Sequence, residues 1–219
     1  MFKVRVVSYS KPAIGVELKD DLLQMVAYCA RVSNPNNQNN EETAEKLVKY
    51  LIKHQHWSPL EMASVCMEID TTRDIARQIL RHRSFSFQEF SQRYADPTKD
   101  LSFVTREARM QDDKNRQNSV DLSMDDPIHH IWESYQEVII ERCKHAYEWA
   151  INAGIAKEQA RAILPEGLTM SRMYVNGTLR SWIHYIQLRA ANGTQKEHQE
   201  IAKACAEAIY QIFPLDDVI

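Results

Sequence analysis

The sequence predicts a single α+β domain over residues 1–219, a small, mostly antiparallel sheet packed with long helices. Three observations carry this reading. Segments near residues 2–9, 62–69 and 168–175 alternate apolar and polar side chains, the period of a half-buried strand. Longer segments, foremost 126–152 and the stretch after 194, repeat apolar residues every three to four positions, as amphipathic helices do. The 219 residues contain no internal repeat, low-complexity tract or linker, so they suit one sizeable core.

In chain order, Phe2, Val4 and Val6 against Lys3 and Arg5 mark the first strand, reaching Tyr9. Asp20 to Arg31 reads as a helix through Leu22, Leu23, Val26 and Ala30. The polar run from Ser33 to Asn40 is a loop. A capping-box-like Asn39-x-x-Glu42 opens the next helix, with Ala44, Leu47, Val48, Leu51 and Ile52 on one face. His54 to Glu61 turns the chain into a strand over Met62–Ile69. Asp70 or Thr71 then caps a helix whose inner face is Ile75, Ile79 and Leu80. Residues 95–126 are polar and aperiodic, a loop long enough to be functional. Asp126-Pro127 opens a long helix to about Asn152, with Ile128, Ile131, Trp132, Tyr135, Val138, Cys143, Ala146 and Trp149 as its apolar face and Gly154 as its stop. A short helix runs from Lys157 to Leu164, and Leu168–Val175 is a strand. Asn176-Gly177 reads as a turn, and Thr178 caps a helix with Arg180, His184 and Gln187 on one face and Trp182, Tyr185 and Arg189 on another. A capping box at Thr194-x-x-Glu197 begins the last helix, packed through Ile201, Cys205, Ile209 and Ile212 and ended by Pro214.

The chemistry concentrates between Arg73 and Tyr94. Arg73, Arg77 and Arg81 recur every fourth residue, a spacing that stacks them on one helix face and calls for an anion to relieve their repulsion. From Arg73 to Arg93 the formal charge is +3 in a chain of −3 overall. Arginine's planar, permanently charged fork suits bidentate grip on phosphate or carboxylate. Ser84, Ser86, Ser91, Gln88 and Gln92 add polar readers, and Phe85, Phe87 and Phe90 can wall a site or stack on a ring.

Composition narrows the function. A net charge of −3 argues against a general nucleic-acid coat, so the basic string reads as a small-ligand site. Cys29, Cys66, Cys143 and Cys205 form no Cys-x-x-Cys pair and read as small apolar residues. His54 and His56, like His129-His130, lack metal-site spacing, so no metal is expected. The N-terminus has no signal-peptide pattern, and no apolar run approaches the ~18 residues of a membrane span, so a cytoplasmic protein without membrane contact is expected. Asn176-Gly-Thr and Asn192-Gly-Thr match glycosylation sequons but read as turns there. The glycines (15, 154, 167, 177, 193) build neither a Gly-x-Gly-x-x-Gly loop nor a phosphate loop, which excludes a Rossmann site.

Arg81-His82-Arg83, Ser86, Glu89, Ser91, Arg93 and Tyr94 resemble the signature of the flavin-dependent thymidylate synthases, with Gln88 standing where that signature carries Asn. The resemblance extends to the turn at His56, Ser58 and Glu61, to Arg161-Ala-Ile-Leu-Pro165, to Asn176…Arg180…His184, and to Leu188-Arg189 with Gln195-x-Glu197. The segment Arg109–Ser119 is similar to the family's Gln- and Asn-rich loop, without assigned roles.

The resemblance implies reductive methylation of dUMP to dTMP, with 5,10-methylenetetrahydrofolate as carbon donor, FAD as flavin and NADPH as reductant. It implies FAD contacts from His56, Ser58, Arg81, His82, Arg83, Glu89, Arg180 and His184. It implies dUMP contacts from Gln78, Arg81, Glu89, Phe90, Ser91, Gln92, Arg93, Arg161 and Arg189, with Arg189 catalytic at the uracil edge. It implies a homotetramer whose sites are shared between subunits. No cysteine or Ser91 sits in a legible nucleophile constellation, which leaves the chemistry to a cofactor. Two alternatives stand beside this reading: a related flavin enzyme that leaves a hydroxymethyl group on dUMP, and a single-stranded nucleic-acid binder using arginines and phenylalanines.

Overall fold

A computed structural model describes residues 2–16, 18–19 and 21–215; Asp20, expected at a helix start, lies outside the described residues. The elements are β1 (Lys3–Tyr9), α1 (Leu22–Ala30), α2 (Ala44–Lys53), β2 (Ser64–Thr72), α3 (Arg73–Ile79), β3 (Ser86–Glu89), α4 (Pro97–Asp100), β4 (Arg109–Gln111), β5 (Ser119–Asp121), α5 (Ile128–Asn152), α6 (Lys157–Ala160), β6 (Met170–Thr178), α7 (Leu179–Arg189) and α8 (Lys196–Tyr210).

The main sheet has the order β1-β2-β6-β3 with every pair antiparallel, and β4-β5 form a separate hairpin. Alternation in β2 and β6 sends Val65, Met67, Ile69, Met173 and Val175 to one face, where all are fully buried against α1, α2, α7 and α8. The opposite face is polar. There Arg5 grips Glu68 through two bonds of 2.8 and 2.9 Å, Tyr174 donates to the same carboxylate, and Arg172 grips Asp70. The α+β expectation therefore holds, with one contiguous main core under one side of the sheet. Among the described residues no helix is long and apolar enough to cross a membrane.

Several local expectations are corrected. Asn176-Gly177 is not a turn: both residues lie inside β6, opposite Cys66 and Val65. The glycine serves close approach, because a Cβ there would overlap the Phe85 ring. Replacing Gly177 by Val should cost about 1–3 kcal/mol through overpacking, read as a fall in the urea midpoint; an unchanged midpoint contradicts the tight packing. The helix expected from Asn39 starts at Ala44, since Asn40 spends its side-chain oxygen on the Thr43 amide in the preceding turn. Thr194 does not cap α8: its hydroxyl reaches the Leu188 carbonyl, and Glu197 turns to Gln195 and Arg109. The last helix ends at Tyr210, before Pro214, and Phe213 folds back into the core. The short helix after Lys157 is α-helical only to Ala160 and then tightens to a 3₁₀ turn over Arg161–Ile163, ahead of Pro165.

Two corrections bear on function. The capping residue of α3 is Thr72, and α3 ends at Ile79, so Arg81 lies beyond it and no three-arginine stack forms. The face expected to pack α5 is outside instead: Ile131 is 56% exposed, Trp132 44% and Tyr135 64%, with Val138 and Trp149 also open. The helix packs through Gln136, Ile140, Tyr147 and Ala150, the last two joining a small second core with Ala160 and Leu164. The segment read as a loop holds the β4-β5 hairpin, and Ser86–Glu89, unassigned from sequence, is the edge strand β3.

Candidate ligand-binding site

The site grows from the junction of β6 and α7. Thr178 ends the strand and caps the helix, its hydroxyl accepting from the Ser181 amide at 3.3 Å. That start turns Trp182, Ile183, Tyr185 and Ile186 inward and leaves His184 at the surface. Trp182 donates to the Val65 carbonyl at 3.0 Å, and the Ser181 hydroxyl donates to the Ser84 carbonyl, which fastens the loop after α3 to α7. Phe85 enters the aromatic cluster, 4.6 Å from Trp182 and 5.8 Å from Tyr185 between ring centres. Phe85 and Phe87 are thus core residues rather than a stacking platform, and the pinned loop leaves Arg81 and Arg83 exposed. Neither arginine forms an ion pair among the described residues.

His82 and Arg189, distant in sequence, meet directly. Arg189 Nε donates to His82 Nε2 at 2.9 Å, so that nitrogen is unprotonated. Burial, aided by the Arg189 and Arg81 guanidiniums, lowers His82 to about 4. The ring stands edge-on to Tyr185 at 5.0 Å. Behind it, fully buried His198 touches Gln78 and Tyr185, and burial lowers it to about 3.

The residues expected at the flavin gather mostly on one surface. An ion pair between Arg180 and Glu61 ties α7 to the 58–62 turn, and the Trp57 and His184 rings meet edge-on at 4.4 Å. His56 and Ser58 are exposed on that turn. Arg180 Nε is buried and unpartnered, an open donor at the centre of the group. Glu89 is apart from them, accepting from the Ser171 hydroxyl at 2.7 Å and from Arg73 at 3.4 Å.

The residues expected at the nucleotide divide into two groups. Gln78 and Arg189 stand at His82 and His198. Glu89, Gln92 and Arg161 stand on the other side of α3, where Gln92 and Arg161 line a cavity of about 240 Å³ with Arg73, Arg77 and Leu164. Gln92 is 3% exposed and its amide nitrogen has no partner among the described residues, an open donor in a cavity where the Glu166 carboxylate is already held by Arg77. Phe90 and Ser91 line a neighbouring cavity of about 410 Å³ with Arg172 and Tyr174. Arg93 pairs with Glu158 at 3.1 Å. Sequence reasoning missed Arg73 and Arg77 as lining residues, although their four-residue spacing marked them. It also missed Ser171, Tyr185 and His198, which carry no local signal because β6, α7 and α8 bring them in from afar.

Nucleophilic alternatives find no support in the geometry. Burial raises the thiols of Cys29, Cys66, Cys143 and Cys205, which disfavours thiolate. The Ser91 oxygen accepts from the Arg93 amide rather than facing a base.

His82 and His198 give the fold a pH dependence. Their folded values lie below the free value near 6.5, so the unfolded chain binds protons that the native one refuses. Stability is therefore fully present above pH 6.5 and declines toward pH 3–4, by at most about 1.4 kcal/mol per pH unit for each group. The urea midpoint should fall between pH 7 and pH 4.5; a flat midpoint contradicts neutral burial.

The family profile described as "Thymidylate synthase complementing protein" matches residues 16–215. A probable flavin-dependent thymidylate synthase of Paramecium bursaria Chlorella virus 1 is 48% identical over 211 residues, covering 96% of this chain and 94% of its own. A flavin-dependent thymidylate synthase of Synechocystis sp. is 48% identical over 214 residues, covering 96% and 95%. In fold, the chain is similar to the UMP/dUMP methylase PolB of Streptomyces cacaoi, with a TM-score of 0.81 at 24% identity over 98% of this chain and 92% of that one.

Proposed function

We infer the function from the premise that this chain belongs to the thymidylate synthase complementing protein family, the flavin-dependent thymidylate synthases. It is a methyltransferase that converts dUMP to dTMP. FAD is its flavin, 5,10-methylenetetrahydrofolate its carbon donor and NADPH its reductant. The single observation that carries the assignment of roles is the turn from Arg81 to Arg83, pinned by Phe85 and Ser181 so that its guanidiniums stay exposed and unpaired while His82 receives Arg189.

The residues present suit a pyrophosphate-bearing flavin. Among the described residues Arg81 and Arg83 have no acid partner and Arg180 keeps a buried unpartnered nitrogen, and no glycine loop competes for the role. His56, Ser58, Arg81, His82, Arg83, Arg180 and His184 would hold it, and Glu89 would reach it from another subunit. The flavin, when bound, supplies the redox chemistry that no side chain here can.

The nucleotide is held by its charge and its base. Arg161 and Gln92, with Arg73 beside them, offer donors to the phosphate, while Arg77 is held by Glu166 at the same cavity. Glu89, Phe90, Ser91 and Arg93 border the sugar, with Arg93 exchanging Glu158 for the ligand. Gln78, Arg81 and Arg189 face the base. Among the described residues Arg189 has only a neutral imidazole as its side-chain hydrogen-bond partner, so its charge is free to stabilise negative charge developing on the uracil ring.

Because the Gln78–Arg189 group and the Glu89–Arg161 group are separate within one chain, complete sites form between subunits of a homotetramer, with residues 1–219 as one domain in the cytoplasm. Titration of the purified protein with FAD and then dUMP tests this. A yellow complex absorbing near ~450 nm is expected, with a band that shifts when dUMP is added. A colourless protein that takes up no FAD overturns it.

A further inference from the structure

A chain of hydrogen bonds runs from a partly buried ion pair to the centre of the molecule, and its direction is fixed throughout. Glu197, ion-paired to Arg109, can only accept. It therefore takes the amide nitrogen of Gln195 at 2.9 Å, which leaves the Gln195 oxygen to receive Gln78 Nε2 at 2.9 Å. Gln78 must then turn its oxygen to His198 Nδ1, 3.2 Å away, so that nitrogen carries the ring proton. The other nitrogen, Nε2, is bare and accepts the Tyr185 hydroxyl at 3.1 Å. His198 is wholly buried, so no water can substitute for either neighbour.

We propose that His198 is a positioning residue that locks the amide of Gln78 in one orientation, so that it presents its second Nε2 hydrogen, a donor, to the nucleotide. An unlocked glutamine amide offers a donor or an acceptor by rotating half a turn; this one cannot rotate without breaking bonds to both His198 and Gln195. The lock reaches the reaction only through Gln78. The inference rests on the nucleotide role given to Gln78 above.

The test is a mutant cycle on the FAD-loaded enzyme with a spectroscopic companion. His198→Phe should raise the KM for dUMP about tenfold with kcat within about twofold, and should add less than about twofold when Gln78 is already Ala. Tyr185→Phe, which removes only the hydroxyl, guards against a misfolded His198→Phe and should move KM the same way. His198→Asn, whose amide nitrogen stands near the place of Nδ1, should restore KM to within about threefold of the parent enzyme. Nitrogen-15 spectra of the histidine rings should show His198 protonated at Nδ1 and bare at Nε2. Additive effects of the two substitutions, or an Nε2-protonated ring, overturn the lock. A Gln78→Ala enzyme with normal dUMP affinity overturns the nucleotide role of Gln78, and this inference with it, while leaving the ring spectrum unchanged; the two failures are therefore distinguishable.

Discussion

Replacing Arg189 by Ala should leave a folded, yellow protein that methylates dUMP on the order of a thousandfold more slowly, an effective loss of turnover. The size follows from what the guanidinium lacks. It forms no ion pair among the described residues, and its hydrogen bond ends on an unprotonated imidazole. Its charge is therefore not consumed in holding the fold. The core beneath α7 is built by Trp182, Ile183, Tyr185 and Ile186, all nearly or wholly buried, and truncating the last residue of the helix removes none of them. The cost should appear in kcat rather than in the urea midpoint. Arg189→Lys should recover little, because an ammonium on a flexible stem cannot reproduce the planar fork. Turnover retained by Arg189→Ala would refute the role.

Breaking the exposed face of α5 should have a comparable effect by another route. Ile131 and Tyr135 are one turn apart and 56% and 64% exposed, beside Trp132 at 44%. An apolar band of this kind on a helix that packs its opposite side is the surface we propose for subunit contact. Ile131→Glu combined with Tyr135→Glu places two carboxylates where a partner would press, without touching Tyr147 or Ala150 in the small core. If the proposed tetramer forms through this face, the variant should sediment as a smaller species, keep its helical circular dichroism, and lose activity about a hundredfold or more, since an interface with a buried charge costs several kcal/mol. An intact tetramer, or a fully active monomer, contradicts shared sites.

The strands and helices with strong periodicity were legible because the physical cause is local: β1, β2 and β6 alternate, and α2 and α8 carry continuous apolar stripes. What stayed hidden was set by contacts between distant segments. Gly177 reads as a turn until Phe85 is known to lie against it. The apolar positions of α5 point to burial in the core, yet Ile131, Tyr135 and Trp149 are exposed, and nothing in a single sequence separates a core face from one left open to solvent or to the proposed partner subunit. Within the site, spacing and residue type singled out the arginine string, although Arg81 lies beyond α3 and no stack forms, and His82 was named only through the family resemblance. Tyr185 and His198 were not, because a buried histidine acquires its function from neighbours that α7 and α8 deliver. Arg77 shows the reverse: its charge suggested a ligand, and the fold supplies Glu166 as partner.

The central claim is that these side chains hold flavin and nucleotide together so that a one-carbon unit is transferred and reduced. The most direct measurement is the mass of the nucleotide recovered after incubating the FAD-loaded protein with dUMP, 5,10-methylenetetrahydrofolate and NADPH. A gain of one CH2 unit, dependent on all three additions, is the predicted result. An unchanged dUMP, or a gain of CH2O, would contradict the account.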